Sequence, residues 1–345
     1  MFRGNPGQTG VAPGSLPAAL GLRWKFKTQD AITSSPVIAH DRVYIGSNDG
    51  SVYALRLGNG QKVWSFKTGD AVEAPPLVVG RSVVVGSSDE YLYSINADSG
   101  KLRWKYKTGD KILGAANRFT ASGGKLRIIV GSYDNKLHCV DASTGKAVWT
   151  YATDNYINGS PAIAGGKIVF GGCDGIVHVV SAATGKRVAA VEAGSYIGGS
   201  AAMAGNNAYV GHYGNKLLCA NIAAGKAVWN YKAREFAFFS SPAVSGDRVV
   251  IGSRDKRVHC VSRSGGKPLW TFQTRGKVDS SPVICGGSVV VGSEDGRLYL
   301  LNLANGQRLW SYEVGKGLTG SPAVAGGVVV IGAGDGTIYA FGAKP

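Results

Sequence analysis

The sequence predicts an all-β fold: an eight-bladed β-propeller of four-stranded antiparallel blades, closed by an N-terminal strand that completes the last blade. Three observations predict it. First, a unit of about 40 residues recurs along the 345-residue chain. GSNDGSVYALRLGNGQKVW (46–64), GSSDEYLYSINADSGKLRW (86–104), GSYDNKLHCVDASTGKAVW (131–149) and GSEDGRLYLLNLANGQRLW (292–310) are near-copies of one another. Second, each unit alternates short apolar runs with Gly-, Asp- and Asn-containing turns, and no helical period is visible. Third, a Trp closes the units, at Trp24, Trp64, Trp104, Trp149, Trp229, Trp270 and Trp310. The spacing is skipped once, after Trp149, where TGKRV (184–188) aligns with TGKAV and Val188 takes the Trp slot.

Taken in order, residues 1–23 are rich in Pro and Gly and lack periodicity, so they read as an arm lying across the propeller surface. Residues 24–345 read as a single propeller domain. Leu22–Lys27 matches an outer strand D, so the chain enters the ring at the rim of a blade. Unit four shows the pattern that follows: strands at 160–164, 167–171, 176–182 and 186–193, joined by Gly-Gly, Cys-Asp-Gly and Ala-Thr-Gly turns, which suit positive φ. Four short strands per unit make a propeller blade. The last unit stops at Thr337–Phe341, a strand C, so its strand D must come from the N-terminus. That closure ties both ends of the chain into one sheet.

Repeated columns have bland explanations. Each Trp packs between blades. Asp49, Asp89, Asp134, Asp174, Asp255, Asp295 and Asp335 cap their own B–C turns, with Gly214 the exception. His138, His178 and His259 share a strand-C column with Tyr, and the five His form no metal spacing. Cys139, Cys173, Cys219, Cys260 and Cys285 contain no C-x-x-C pair and are expected as free, buried thiols. The chain carries 38 Lys+Arg against 22 Asp+Glu, a net charge of +16. Lys62, Lys101, Lys146, Lys186, Lys226 and Lys267 occupy one turn column, which distributes the charge around a ring without a local patch; nucleic acid is not the expected partner.

Antiparallel strands place the D–A and B–C loops on one face and the A–B and C–D turns on the other. The first face varies from blade to blade, and function tends to sit on variable loops held by a rigid scaffold. Units three to six concentrate aromatic and Arg residues there. The candidate partner-binding residues are Tyr133, Tyr156, Tyr196, Tyr213, Phe236, Phe238, Phe239 and Arg254, a composition that suits an interface. The competing reading is that these rings fold inward and plug the channel. Unit five reads as lacking the Trp, the Asp and the Ser-Pro. The carboxylates Glu73, Glu235, Asp279 and Glu294 form no close pair, and no Ser-His-Asp spacing occurs, so no catalytic residue is assigned.

CVDASTGKAVW (139–149), with weaker forms at 95–104 and 301–310, resembles the tryptophan-docking motif of the PQQ-like β-propeller repeat family, and MFRGNPGQTG resembles the N-terminal arm of such proteins. One branch, the quinoprotein alcohol dehydrogenases, binds pyrroloquinoline quinone and calcium on the propeller axis. The other is the BamB-like non-enzymatic branch, a periplasmic scaffold. This chain lacks the long inserted loops and the adjacent Cys-Cys pair of the first branch. It also lacks the lipobox Cys of the second. The resemblance therefore implies a non-catalytic scaffold without cofactor or metal, monomeric, binding a protein or peptide through its D–A/B–C loop face. The alternatives are a PQQ-dependent dehydrogenase or a ligand-sensing propeller domain of a signalling assembly. No run approaches the ~18 apolar residues of a membrane span, and MFRGNPGQTG has no apolar signal core. The expected location is periplasmic or extracytoplasmic if an export signal was removed upstream, and cytoplasmic otherwise.

Overall fold

A computed structural model of the chain describes residues 1–343. Eight sheets close into a ring, each with strands A to D running from axis to rim. Blade 1 comprises Val37–Ala39, Arg42–Gly46, Ser51–Arg56 and Lys62–Lys67; blade 4 comprises Ala162–Ala164, Lys167–Gly171, Ile176–Ser181 and Arg187–Glu192. Strands B and C are buried on both sides, so they read as apolar runs rather than alternating ones. Blade 8 takes Gly21–Lys27 as its strand D, antiparallel to Thr337–Gly342. Gly21, Leu22 and Arg23, counted with the arm by the boundary at residue 23, are thus part of this strand.

Adjacent blades are joined by three repeated devices. The Trp of one blade lies on the C–D turn Gly of the next. A Cβ on Gly145 would stand 2.6 Å from the Trp104 ring, and Gly145 also has φ +70, so only Gly serves there. The Trp104 Nε1–H donates to the Ala142 carbonyl at 3.0 Å. A bulge at Arg103 precedes Trp104 in the ladder. In blade 4 the vacant Trp slot is Ala189, not Val188: Val179 pairs with Ala189 as Cys139 pairs with Trp149. Val188 is exposed on the neighbouring position. The missing Trp therefore belongs to blade 4, while blade 5 carries Trp229.

The second device is a chain of polar side chains. The Tyr106 hydroxyl meets His138 Nδ1 at 3.0 Å, and His138 Nε2 meets Asp134 at 3.0 Å. Tyr151–His178–Asp174 and Tyr231–His259–Asp255 repeat it. Each Tyr comes from the preceding blade. The His column is thus a hydrogen-bonded tie, more than the packing expected of it. Burial alone would raise the Asp134 carboxyl, but bonds from His138 and the Gly109 N–H outweigh it and hold it at about 2.

The third is a serine belt around the axis. The N–H of Ala115 donates to Ser160 Oγ, that of Ser160 to Ser200, Ser200 to Ser241, Ser241 to Ser281, Ser281 to Ser321, and Ser321 to Ser35, all within 2.8–3.0 Å. Ser34 Oγ donates to Ala74 O and joins blades 1 and 2. Pro75 has no N–H to donate and Ala115 no hydroxyl to accept, so among the described residues the belt has no link between blades 2 and 3.

The N-terminal arm does not lie across the surface; it enters the channel. Carbonyls of Pro6, Gly7, Thr9 and Gly10 accept from the inner-strand N–H groups of Ile163, Met203, Val244 and Ile284, in blades 4, 5, 6 and 7 in turn. Val11–Ala12 then pairs parallel with Ile284–Cys285 as a fifth strand of blade 7. The arm satisfies backbone donors that would otherwise line the bore unpaired. Phe2 packs on Val37 and Ala115, and Arg3 is buried with its Nε donating to Gln8 O. The plug is therefore the arm, not the loop aromatics.

All five cysteines are free, as expected, and four are buried; Cys173, expected to be buried with them, is half-exposed in a B–C turn. Burial pushes the Cys139 and Cys260 thiols up to about 12, so they stay protonated and inert. Charge, however, is not evenly spread. The turn face holds only four acids: Asp41, Asp98, Asp141 and Asp247. Every other Asp and Glu lies in the D–A or B–C loops or at the strand ends beside them. Three of the four are already paired, Asp98 with Arg42 and Arg81, Asp141 with Arg127, and Asp247 with Arg248. Arg56, Lys62, Lys101, Arg103, Lys125, Lys146, Lys186, Arg187, Lys226, Lys267 and Arg308 are exposed on that face. The lysine column is a ring, as expected, but the ring lies on one face, which the sequence expectation of an unlocalised charge did not capture.

Candidate binding surface

The opposite face is held by a repeated backbone bond and a buried side chain beside it. In each blade the residue before the Asp column donates its N–H to the D–A loop: Tyr133 to Lys111 O, Cys173 to Tyr156 O, Tyr213 to Tyr196 O and Arg254 to Ala237 O. The next D–A residue turns inward and packs beneath strand B of the preceding blade. In this buried column stand Ile112, Ile157, Ile197, Phe238 and Val278. Loop positions alternate between a displayed side chain and a core side chain, so the display is rigid.

That alternation separates the candidate residues. Tyr133 and Tyr156 stack, centroids 4.7 Å apart and nearly parallel. Tyr196 meets Tyr213 edge-on at 6.3 Å, and Tyr213 meets Phe239 edge-on at 5.1 Å. Arg254 lies over the Phe239 ring at 4.1 Å and grips Asp279 with two bonds, 2.8 and 3.0 Å. Gly198 lets the Phe239 ring approach the blade 5 backbone; a Cβ there would stand 3.0 Å from it. One ladder thus runs Tyr196–Tyr213–Phe239–Arg254–Asp279 across blades 5 to 7, beside the Tyr133–Tyr156 pair of blades 3 and 4.

Phe238 is a correction. It is fully buried against Tyr231 and His259, in the column filled elsewhere by Ile or Val. Its place was readable from the alignment that puts Phe239 in register with Asn158 and Asp279. Phe236 is half-exposed and stands apart from the ladder. Asp279, which orients Arg254, was noted in sequence only as an isolated carboxylate. His212 fills the position taken by Ser in most blades. Its Nδ1 accepts the Gly214 N–H at 3.1 Å, and burial, then the Lys216 charge, lowers it to about 4. It is neutral at pH 7 and fixes the Tyr213 turn where the usual Asp is absent.

On the axis the same face forms a funnel of about 170 Å³, lined by Thr33, Glu73, Leu113, Asn158, Gly198 and Phe239, with Phe2 of the arm among its walls. Small-molecule pockets usually exceed about 300 Å³. The lining offers one carboxylate, Glu73, and one amide, Asn158, whose Nδ2 donates to Cys173 Sγ at 3.0 Å. No group of three His, Cys, Asp or Glu able to hold a metal occurs among the described residues. These residues do not fit pyrroloquinoline quinone with calcium, and no chemical step is derived through either.

The model of the family described as outer membrane protein assembly factor BamB matches residues 20–124, 114–237 and 237–344. Among solved structures, BamB from Moraxella catarrhalis superposes with a TM-score of 0.77 at 21% identity, over 94% of this chain and 99% of that one. Quinohemoprotein alcohol dehydrogenase ADHIIG from Pseudomonas putida HK5 superposes at 0.81 with 14% identity, over 98% and 79%. A europium-containing methanol dehydrogenase reaches 0.82 at 13% identity, over 99% and 97%. At these identities the superpositions speak for the fold alone. A search of curated protein sequences finds no match. On the family match over nearly its whole length, the chain belongs to the family of the outer membrane protein assembly factor BamB.

Proposed function

We propose that this protein is a non-catalytic scaffold that binds a protein or peptide partner through its D–A/B–C loop face. One observation carries the reading. Tyr156, Tyr196, Tyr213 and Phe236, between 40% and 56% exposed, are the exposed large aromatics of the described chain, and all lie on this face between blades 4 and 6. Elsewhere among the described residues such rings are buried or half-buried. A half-exposed aromatic ladder anchored by a salt-bridged Arg resembles the centre of a protein interface. The working location in this reading is the periplasm, as for a factor in outer membrane protein assembly.

Immobilised protein should capture its partner from envelope extract, and Tyr196→Ala with Tyr213→Ala should abolish capture while leaving the melting curve in place. Full capture by the double variant rejects the site. The dehydrogenase alternative is tested by titration with pyrroloquinoline quinone and calcium. Tight binding with dye-linked alcohol oxidation would overturn the scaffold reading.

A further inference from the structure

We propose that the turn face, opposite the aromatic ladder, is a docking surface for an anionic lipid bilayer. Three features of that face meet. It is basic with few acids, most of them paired, so its remaining cations have no intramolecular counter-charge. Its turns are short and fixed, so those cations form a ring rather than a stripe. And the rim beside it carries an exposed aliphatic residue on the strand D of blade after blade: Leu102, Val148, Val188, Val228, Leu269 and Leu309, between 39% and 50% exposed. These side chains sit next to the C–D turns, within one or two residues of a turn lysine or, for Leu309, beside Arg308.

A wide ring of cations with an aliphatic collar suits a plane that is negatively charged at its surface and apolar just beneath it. A nucleic acid would suit it less. A duplex asks for a stripe or groove, and single strands ask for aromatic platforms. The exposed large aromatics lie on the other face. A recess on the turn face, about 350 Å³ between blades 2 and 3, is lined by Arg81, Arg103 and Lys125 together with Val79, Val84 and Leu126, and by Asp141, whose carboxylate is paired with Arg127. Cationic walls over an apolar floor match a phosphate headgroup above acyl chain. This surface is distinct from the proposed partner site, so either can fail without the other. With both in place, the loop face would point away from the membrane, towards a partner.

The test is flotation of full-length protein with phosphatidylcholine vesicles, with and without phosphatidylglycerol. Binding should require phosphatidylglycerol and weaken steeply between about 50 and 500 mM salt. Each lysine near such a surface contributes about five-fold. Lys146→Gln, Lys186→Gln and Lys226→Gln together should therefore weaken binding by about a hundred-fold. The triple Lys136→Gln, Lys216→Gln, Lys316→Gln has the same net charge, altered on the loop face, and should stay within about five-fold of the parent. Leu102→Ser with Leu269→Ser should lower vesicle binding about ten-fold with all lysines intact. All of these positions are exposed, and unchanged melting curves verify folding. Equal losses in the two lysine triples, no dependence on phosphatidylglycerol, or an inert leucine pair would each overturn the proposal. A DNA duplex bound more tightly than the vesicles, and undisturbed by the leucine changes, would reassign the face to nucleic acid and overturn it equally.

Discussion

The loop face and the turn face are made by the same strands, yet they vary in different ways. On the turn face the C–D turn Gly is pinned under a Trp from the preceding blade in most blades, as Gly145 is under Trp104. That contact leaves little room to change length or shape, so side-chain charge is what remains free to accumulate. On the loop face only alternate positions are committed to the core, and the displayed ones differ from blade to blade: Asn48, Tyr133, Cys173, Arg254 and Glu294 occupy equivalent sites. A uniform face recognises by summed charge, a variable face by a local cluster. One repeat can therefore carry two separable recognition surfaces.

The largest break in this comparison should come from the element that serves both faces. Deleting residues 1–28 removes the channel plug and the last strand of blade 8, and should lower the melting temperature by more than about 10 °C. An unchanged melt would mean that the ring closes without them. Next come two neighbours on one loop. Phe238→Ala should cost about 3–5 kcal/mol in denaturant unfolding. Phe239→Ala should cost less than about 1 kcal/mol but impair partner capture. Similar stabilities for the two would refute the alternation of displayed and core positions.

Acid should weaken the loop-face scaffold in two steps. His212, held at about 4 instead of 6.5, stays neutral when folded, so its contribution is present above pH 6.5 and lost as pH falls towards 4. Asp134, held at about 2 instead of 3.8, keeps its contribution above pH 3.8 and loses it as pH falls towards 2. His212→Gln should flatten the first step of the stability–pH curve and leave the second. The smallest effect is expected on the turn face, where Lys186→Gln should change stability by less than about 0.5 kcal/mol.

Much of this was legible in sequence because a 40-residue period forces equivalent residues into equivalent places. The blade number, the shared last blade and the docked Trp all follow from that register. What escaped depends on the third dimension or on a single-residue offset. Ala189 aligns with Trp149 once TGKRVA is laid on TGKAVW, so the vacant slot was legible and was missed by one position. Phe238 and Phe239 look alike in composition, yet one replaces Ile in a core column. The arm has no period, so nothing in its Pro and Gly pattern shows that Pro6 to Gly10 will cap four inner strands. The lysine column was visible, but its sidedness required knowing where the acids go.

Pro75 and Ala115 interrupt the serine belt at the joint that also holds the recess lined by Arg81, Arg103 and Lys125. A closed wheel would be expected to part first where its two chain ends meet. Here that junction is bridged by Ser321 and Ser35 as well as by a shared sheet, whereas the joint between blades 2 and 3 lacks a belt bond. Amide exchange on a native-state timescale should therefore register opening along that joint before the junction of blades 8 and 1, even though Met1 of the arm packs against the core cluster that the joint covers.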